Sequence, residues 1–273
     1  MFFGYNTNGL AHHSTLDGIA LIGEMGYESV ALSLDHHCLP PPDYPQFSPS
    51  REQVAETLQK YQLRCVLETG ARFLLNPAQK HAPALTEEDA DKRLDFLRHA
   101  IDTAAFLGAE VVTLFAGKLP QNLPKKTALE RLTERLSALT DEATTKKVTL
   151  ALEPEPGMLI ARVNDYEQLL ANANGKLDKL MLTADLGHLF CQREPFAETL
   201  SRVKERLVNI HLADSCYDEH KHLQCGEGEM NFPEIFEVLR KIGYRQGVYV
   251  ELSRHSHLAP LAAYEALQFL RNC

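Results

Sequence analysis

Short apolar runs alternate with segments of helical periodicity along this chain, and four of the runs end in a residue able to bind a metal ion. VTLALE ends at Glu153, and KLMLTADLGHLF, Lys179 to Phe190, breaks into Asp185, Gly187 and His188. LVNIHLADS carries His211, and GVYVEL ends at Glu251. A continuous apolar run of this length reads as a strand buried on both faces, the mark of a parallel sheet. A polar group directly after such a strand stands where the chain leaves the core. One ending of this kind is a weak signal, but four are hard to produce by chance.

The alternation continues over the whole length. FFGYNTNG precedes a helix from Ser14 to Met25 that Ser14 or Thr15 can cap and Gly26 stops. SVALSLD precedes a helix opened by Ser50, with Glu52 and Gln53 in its first turn. CVLETG precedes a helix predicted over Thr86 to Leu107, opened by Thr86 with Asp89 and closed by Gly108, and AEVVTLFAG precedes one from about Lys126 to Thr144. Further helices are predicted from near Asn164, over Pro195 to Arg206, over Phe232 to Ile242 and over Ala259 to Leu270. Eight strand and helix pairs predict an α/β fold, a (β/α)8 TIM barrel, with residues 1–273 as one domain.

In such barrels the active groups project from the carboxyl ends of the strands. Glu153, Asp185, His211 and Glu251, on strands five to eight, then converge. Three oxygen donors and one imidazole suit one divalent metal ion, with Mn²⁺, Mg²⁺ or Co²⁺ preferred and Zn²⁺ compatible. Taken singly, Asp185 reads equally as a helix cap and His211 as a hydrogen-bonded core histidine. Their shared placement favours the metal.

Net charge bears on partners. At −9 the chain lacks the cationic excess that a broad nucleic-acid or anionic-membrane surface needs, so neither partner is expected. No signal peptide is legible after Met1, and no segment reaches the length of a membrane span. The six cysteines include no C-x-x-C pair, which suits reduced thiols in a cytoplasmic protein.

ALEPEPG, TADLGH, NIHLADS and the pair GEGEMNFPEIF with VYVEL resemble the xylose isomerase-like TIM barrel superfamily. That superfamily includes ketose 3-epimerases, hydroxypyruvate isomerases, inosose dehydratases and endonuclease IV. The resemblance spans the chain and implies a single-metal site on Glu153, Asp185, His211 and Glu251. Bound to a carbonyl and a neighbouring hydroxyl, such an ion stabilises the enediolate formed when a proton leaves the adjacent carbon. Glu153 and Glu251 then serve as the catalytic base and acid. The resemblance also implies a substrate contact for His188, and places His220 and His222 where some members hold further metal.

The chain departs from this pattern in informative ways. Ketose 3-epimerases carry a second glutamate beyond the strand-five ligand, where this chain has Met158, Leu159 and Ile160, and an arginine after the strand-seven histidine that ADSCYDEH lacks. A free hexose is therefore a poor substrate candidate. In its place the run SRHSH offers Arg254, His255 and His257 to grip a carboxylate or phosphate. Asn8, Glu68 and Arg72 fall on the same face, and the proline-rich stretch 40–49 reads as a lid or a long connection.

The sequence thus predicts a metal-dependent isomerase or epimerase of a small sugar, polyol or sugar-acid derivative; a homo-oligomer is compatible with this reading. A dehydratase of a related ketone and a non-catalytic sugar-binding barrel are the alternatives. The DNA-repair branch is disfavoured, because its extra histidine ligands are missing from LETGARF and LFAGKLP.

Overall fold

The computed structural model describes residues 1–44 and 48–273. Eight parallel strands close into a barrel: β1 (Phe2–Asn6), β2 (Ser29–Ser33), β3 (Arg64–Glu68), β4 (Val111–Phe115), β5 (Thr149–Glu153), β6 (Met181–Asp185), β7 (Leu207–Leu212) and β10 (Gly247–Val250). Two short strands between the last two, β8 (Asp214–Cys216) and β9 (Glu219–Leu223), form a separate antiparallel hairpin. The barrel is the one predicted; the hairpin is not.

The connecting helices are α1 (Thr15–Met25), α2 (Arg51–Lys60), α3 (Asp91–Leu107), α4 (Lys125–Thr145), α5 (Val163–Asn172), α7 (Phe196–Val203), α8 (Phe232–Lys241) and α9 (Ala259–Arg271). A short extra helix, α6 (Leu186–Cys191), follows β6 at once. Local chemistry sets most ends. Ser14 accepts from the Asp17 amide and Gly26 closes α1 in the left-handed region, while Ser50 and Gln53 form a capping box on α2. The helix expected from Thr86 begins at Asp91 instead. Thr86 Oγ1 donates to the Lys118 carbonyl at 2.6 Å, so this hydroxyl ties two loops together and caps nothing.

Residue alternation along the strands builds the barrel interior in layers. Phe2, Ala31, Val66, Val111, Ala151 and Tyr249 pack into an apolar floor. Gly4 is required there, because a Cβ would lie 2.4 Å from the Tyr249 ring. Two residues further along four of these strands, on the same side of the sheet, come Glu68, Thr113, Glu153 and Glu251. The polar site therefore rests on a closed apolar base. The proline-rich stretch 40–49 includes residues 45–47, which lie outside the described residues. Among the described residues no helix is long and apolar enough to cross a membrane, and all six cysteines are free.

Candidate active site

Strand register brings the predicted ligands together. Asp185 pairs with His211 across β6 and β7, and the Glu251 amide donates to the Leu212 carbonyl at 3.0 Å. Two carboxylates from opposite sides then face one imidazole nitrogen: His211 Nδ1 lies 3.1 Å from Glu153 Oε1 and 3.3 Å from Glu251 Oε2. Its other nitrogen, Nε2, donates to Glu68 Oε1 at 2.9 Å. Burial disfavours a charged His211, yet Glu68 and Glu153 outweigh it and hold the imidazole well above its ordinary range.

Asp185 uses its oxygens differently. Oδ1 accepts from the His188 amide at 2.9 Å and caps α6, whereas Oδ2 is buried without a hydrogen-bond partner. Burial pushes Asp185 up, but His188, His222 and His211 hold it below the ordinary carboxylate range. Glu251 is shifted the same way, with His222 and His211 overcoming burial, and Asn8 Nδ2 donates to its Oε1 at 2.7 Å. A carboxylate oxygen without a hydrogen bond, buried beside Glu153 and Glu251, is unfavourable unless cationic charge lies close by. This donor set therefore fits a divalent ion. Potential ligand atoms of Asp185, His211 and Glu251 lie within 4.8 Å of one another, and Glu153 joins overlapping groups with Asp185 and His188 and with Glu68 and His211.

A second group adjoins the first. His188 Nδ1 donates to the Pro154 carbonyl at 3.2 Å, and its Nε2 lies 2.8 Å from His220 Nε2. Burial opposes charge on His188, but Asp185 and Glu153 raise it above its ordinary range; burial and His188 push His220 down to about 4. These directions make His188 the donor and His220 the acceptor. His222 completes a group of three whose ligand atoms also lie within 4.8 Å. The hairpin β8–β9 delivers both added histidines.

The cavity above these residues has a volume of about 290 Å³. His188, His220, His222 and Arg254 line it. His255 and His257, also expected to contact substrate, do not line it: directly after Arg254 the chain tightens into a single helical turn, Ser256–Leu258, with Ser256 Oγ donating to the Asn8 carbonyl at 3.2 Å. Glu155, in the stiff EPEP loop, also lines the cavity, and burial followed by the Glu153 charge pushes its carboxyl up to about 7. Asn209 is a site residue that sequence reasoning missed. Its Nδ2 donates to Thr113 Oγ1 at 3.1 Å and to Glu68 Oε1 at 3.4 Å, below the imidazole. Its position two residues before His211 in a buried strand was the available signal.

The closed barrel agrees with the family comparison, in which the model described as xylose isomerase-like TIM barrel matches residues 19–273. The chain belongs to this family. Among curated relatives, fructoselysine 3-epimerase of Shigella flexneri is 28% identical over 188 residues, covering 65% of each chain. The matched stretches span 60, 57, 65 and 66% of the four curated relatives, so for each of them the chain covers less than two thirds of the relative's length. Among solved structures, 3-keto-D-glucoside 4-epimerase from E. coli superposes over all of both chains with a TM-score of 0.79 at 16% identity. An IOLI protein with a bound zinc atom superposes over 100% of this chain and 97% of its own, with a TM-score of 0.78 at 18% identity. At these identities the structural likeness speaks for the xylose isomerase-like fold alone.

Proposed function

We propose that this family member is a divalent-metal-dependent isomerase or epimerase of a small sugar, polyol or sugar-acid derivative. The observation that carries the reading is the approach of Glu153 and Glu251, from separate strands, to the same nitrogen of His211, with the unpartnered Asp185 oxygen beside them. A binding module has no need of two opposed carboxylates over a closed apolar floor. The similarity to a fructoselysine 3-epimerase and the zinc in a structural neighbour support the same reading.

Glu153, Asp185, His211 and Glu251 would hold the ion. Once bound, a divalent ion disperses the negative charge that develops on substrate oxygens when a carbon-bound proton leaves. Glu68 fixes the His211 tautomer by accepting from Nε2, which leaves Nδ1 directed at the carboxylates. Glu153 and Glu251 take and return the proton on opposite faces of one carbon. His188, held by Asp185 and Pro154, places its imidazole against substrate on the cavity wall, and Arg254 contacts substrate from the same cavity.

Hydrogen exchange with solvent tests this. In D₂O, substrate should gain deuterium at the reacting carbon, chelation should stop the exchange, and Glu153→Gln or Glu251→Gln should each slow it by roughly a hundredfold or more. Exchange that survives both substitutions contradicts the acid and base assignment. Loss of water from substrate, seen by mass spectrometry, assigns the dehydratase instead.

A further inference from the structure

The walls of the cavity are unlike. Glu153 at the end of β5 and Glu155 after it face a wall built by the loops after β1, β2 and β3, and Arg254 follows β10 where that strand pairs with β1. On this second wall stand Arg72 and Lys80. Arg72 is half-buried and Lys80 and Arg254 are exposed at the cavity, and among the described residues none of the three side chains forms an ion pair or a hydrogen bond. The acidic residues of that wall are engaged: Asp35 Oδ1 accepts from the His36 amide at 2.8 Å, and Glu68 takes His211.

The loop that carries Arg72 and Lys80 is firmly built. Buried Arg93 reaches under it and donates to the carbonyls of Pro83, Thr69 and His81 at 2.9, 2.8 and 3.0 Å. The His81 amide donates to the Arg72 carbonyl at 2.6 Å, and His81 Nδ1 donates to the Gly70 carbonyl at 2.8 Å. Ala71 and His81 hold φ of 50° and 65°, a left-handed conformation that costs free energy in any residue but glycine. Such residues persist where surrounding contacts over-determine them, commonly at binding sites. Here the strained pair brackets Arg72 and Lys80.

We propose that Arg72, Lys80 and Arg254 form an anion subsite, and that the substrate carries a carboxylate or phosphate group distal to its reacting carbon. The proposal rests on the isomerase reading above and narrows its substrate class. A chain of net charge −9 repels an anionic sugar at long range, so local cations must overcome that field at the cavity. Arginine is suited to this, because its fork matches carboxylate and phosphate oxygens two at a time.

Two measurements separate this proposal from the reading it rests on. The first is calorimetric titration of the metal-loaded protein with sulfate at constant ionic strength, against chloride. Saturable binding is expected, weakened roughly ten- to hundredfold by Arg72→Gln and by Arg254→Gln. No binding, or binding unchanged in both variants, overturns the anion subsite. The second compares deuterium uptake from D₂O by D-fructose, D-fructose 6-phosphate and 5-keto-D-gluconate. Faster uptake by the phosphate identifies a phosphate group, faster uptake by the keto acid identifies a carboxylate, and uptake at least as fast by fructose overturns the proposal. If sulfate binds as expected while no sugar exchanges, the subsite stands and the isomerase reading fails.

Discussion

At Asp185 the two carboxylate oxygens divide, with Oδ1 capping α6 through the His188 amide and Oδ2 left unpartnered in the site. The cap expected of this residue uses one oxygen, and the other is left for the proposed ion. Glu68 shows the same economy, since a buried carboxylate beneath His211 both orients the ring and balances its charge. Glu68→Ala leaves the buried His211 Nε2–H without its partner and should weaken metal binding roughly ten- to hundredfold, while Glu68→Gln, which keeps an acceptor oxygen, should weaken it less. Equal losses in both variants, measured by competition with a chelating dye, would show that the hydrogen bond is not what matters. Glu155 supplies a pH test. Its carboxyl is raised to about 7, so the folded state binds a proton that the unfolded chain has released, and this contribution to stability is lost as pH rises from 4.5 through 7. Metal-free Glu155→Gln should therefore match the parent near pH 4.5 and exceed its stability by about 1–2 kcal/mol at pH 8, a figure reduced because the side chain is only partly buried. A constant difference across urea titrations at both pH values would contradict this.

Among the elements, barrel strands were the most legible, because each is a short apolar run whose period of two also predicts which residues point inward. Glu153 two residues after Ala151, and Glu251 two after Tyr249, follow from that period alone. The start of α3 was not legible: Thr86 has the chemistry of a cap, and only the tertiary position of the Lys118 carbonyl diverts it. Hairpin β8–β9 was hidden for another reason. CYDEHKHL is polar, and pairing across it depends on a turn at Asp218 and on anchoring by Asp214, whose carboxylate accepts from the amides of Ser215, Gly226, Gly228 and Met230. The histidines it carries were visible as residue types, but their meeting with His188 was not. The GEG motif has its explanation here: a Cβ on Gly228 would stand 2.4 Å from Asp214 Oδ1 and 2.6 Å from the Ser215 carbonyl. Gly228→Ala should displace this loop and cost about 2 kcal/mol of stability, read from the urea midpoint. An unchanged midpoint would mean that the loop yields freely.

On the scale of the whole molecule, the barrel gathers side chains from Asn6 to Arg254 into one cavity, whose lining includes Glu153, Glu155 and Glu251 as well as Arg72, Lys80 and Arg254. The net charge of −9 and the lack of histidine in LETGARF and LFAGKLP are the grounds for expecting no cleavage of a DNA backbone. Purified protein should leave an abasic duplex intact in a nicking assay; cleavage abolished by His188→Ala would reverse that conclusion. The central claim is that four strand ends hold one divalent ion. Anomalous scattering from crystals grown with Mn²⁺ tests it most directly. The account predicts a strong peak bounded by Glu153, Asp185, His211 and Glu251, and a map with no peak among these four residues would contradict it.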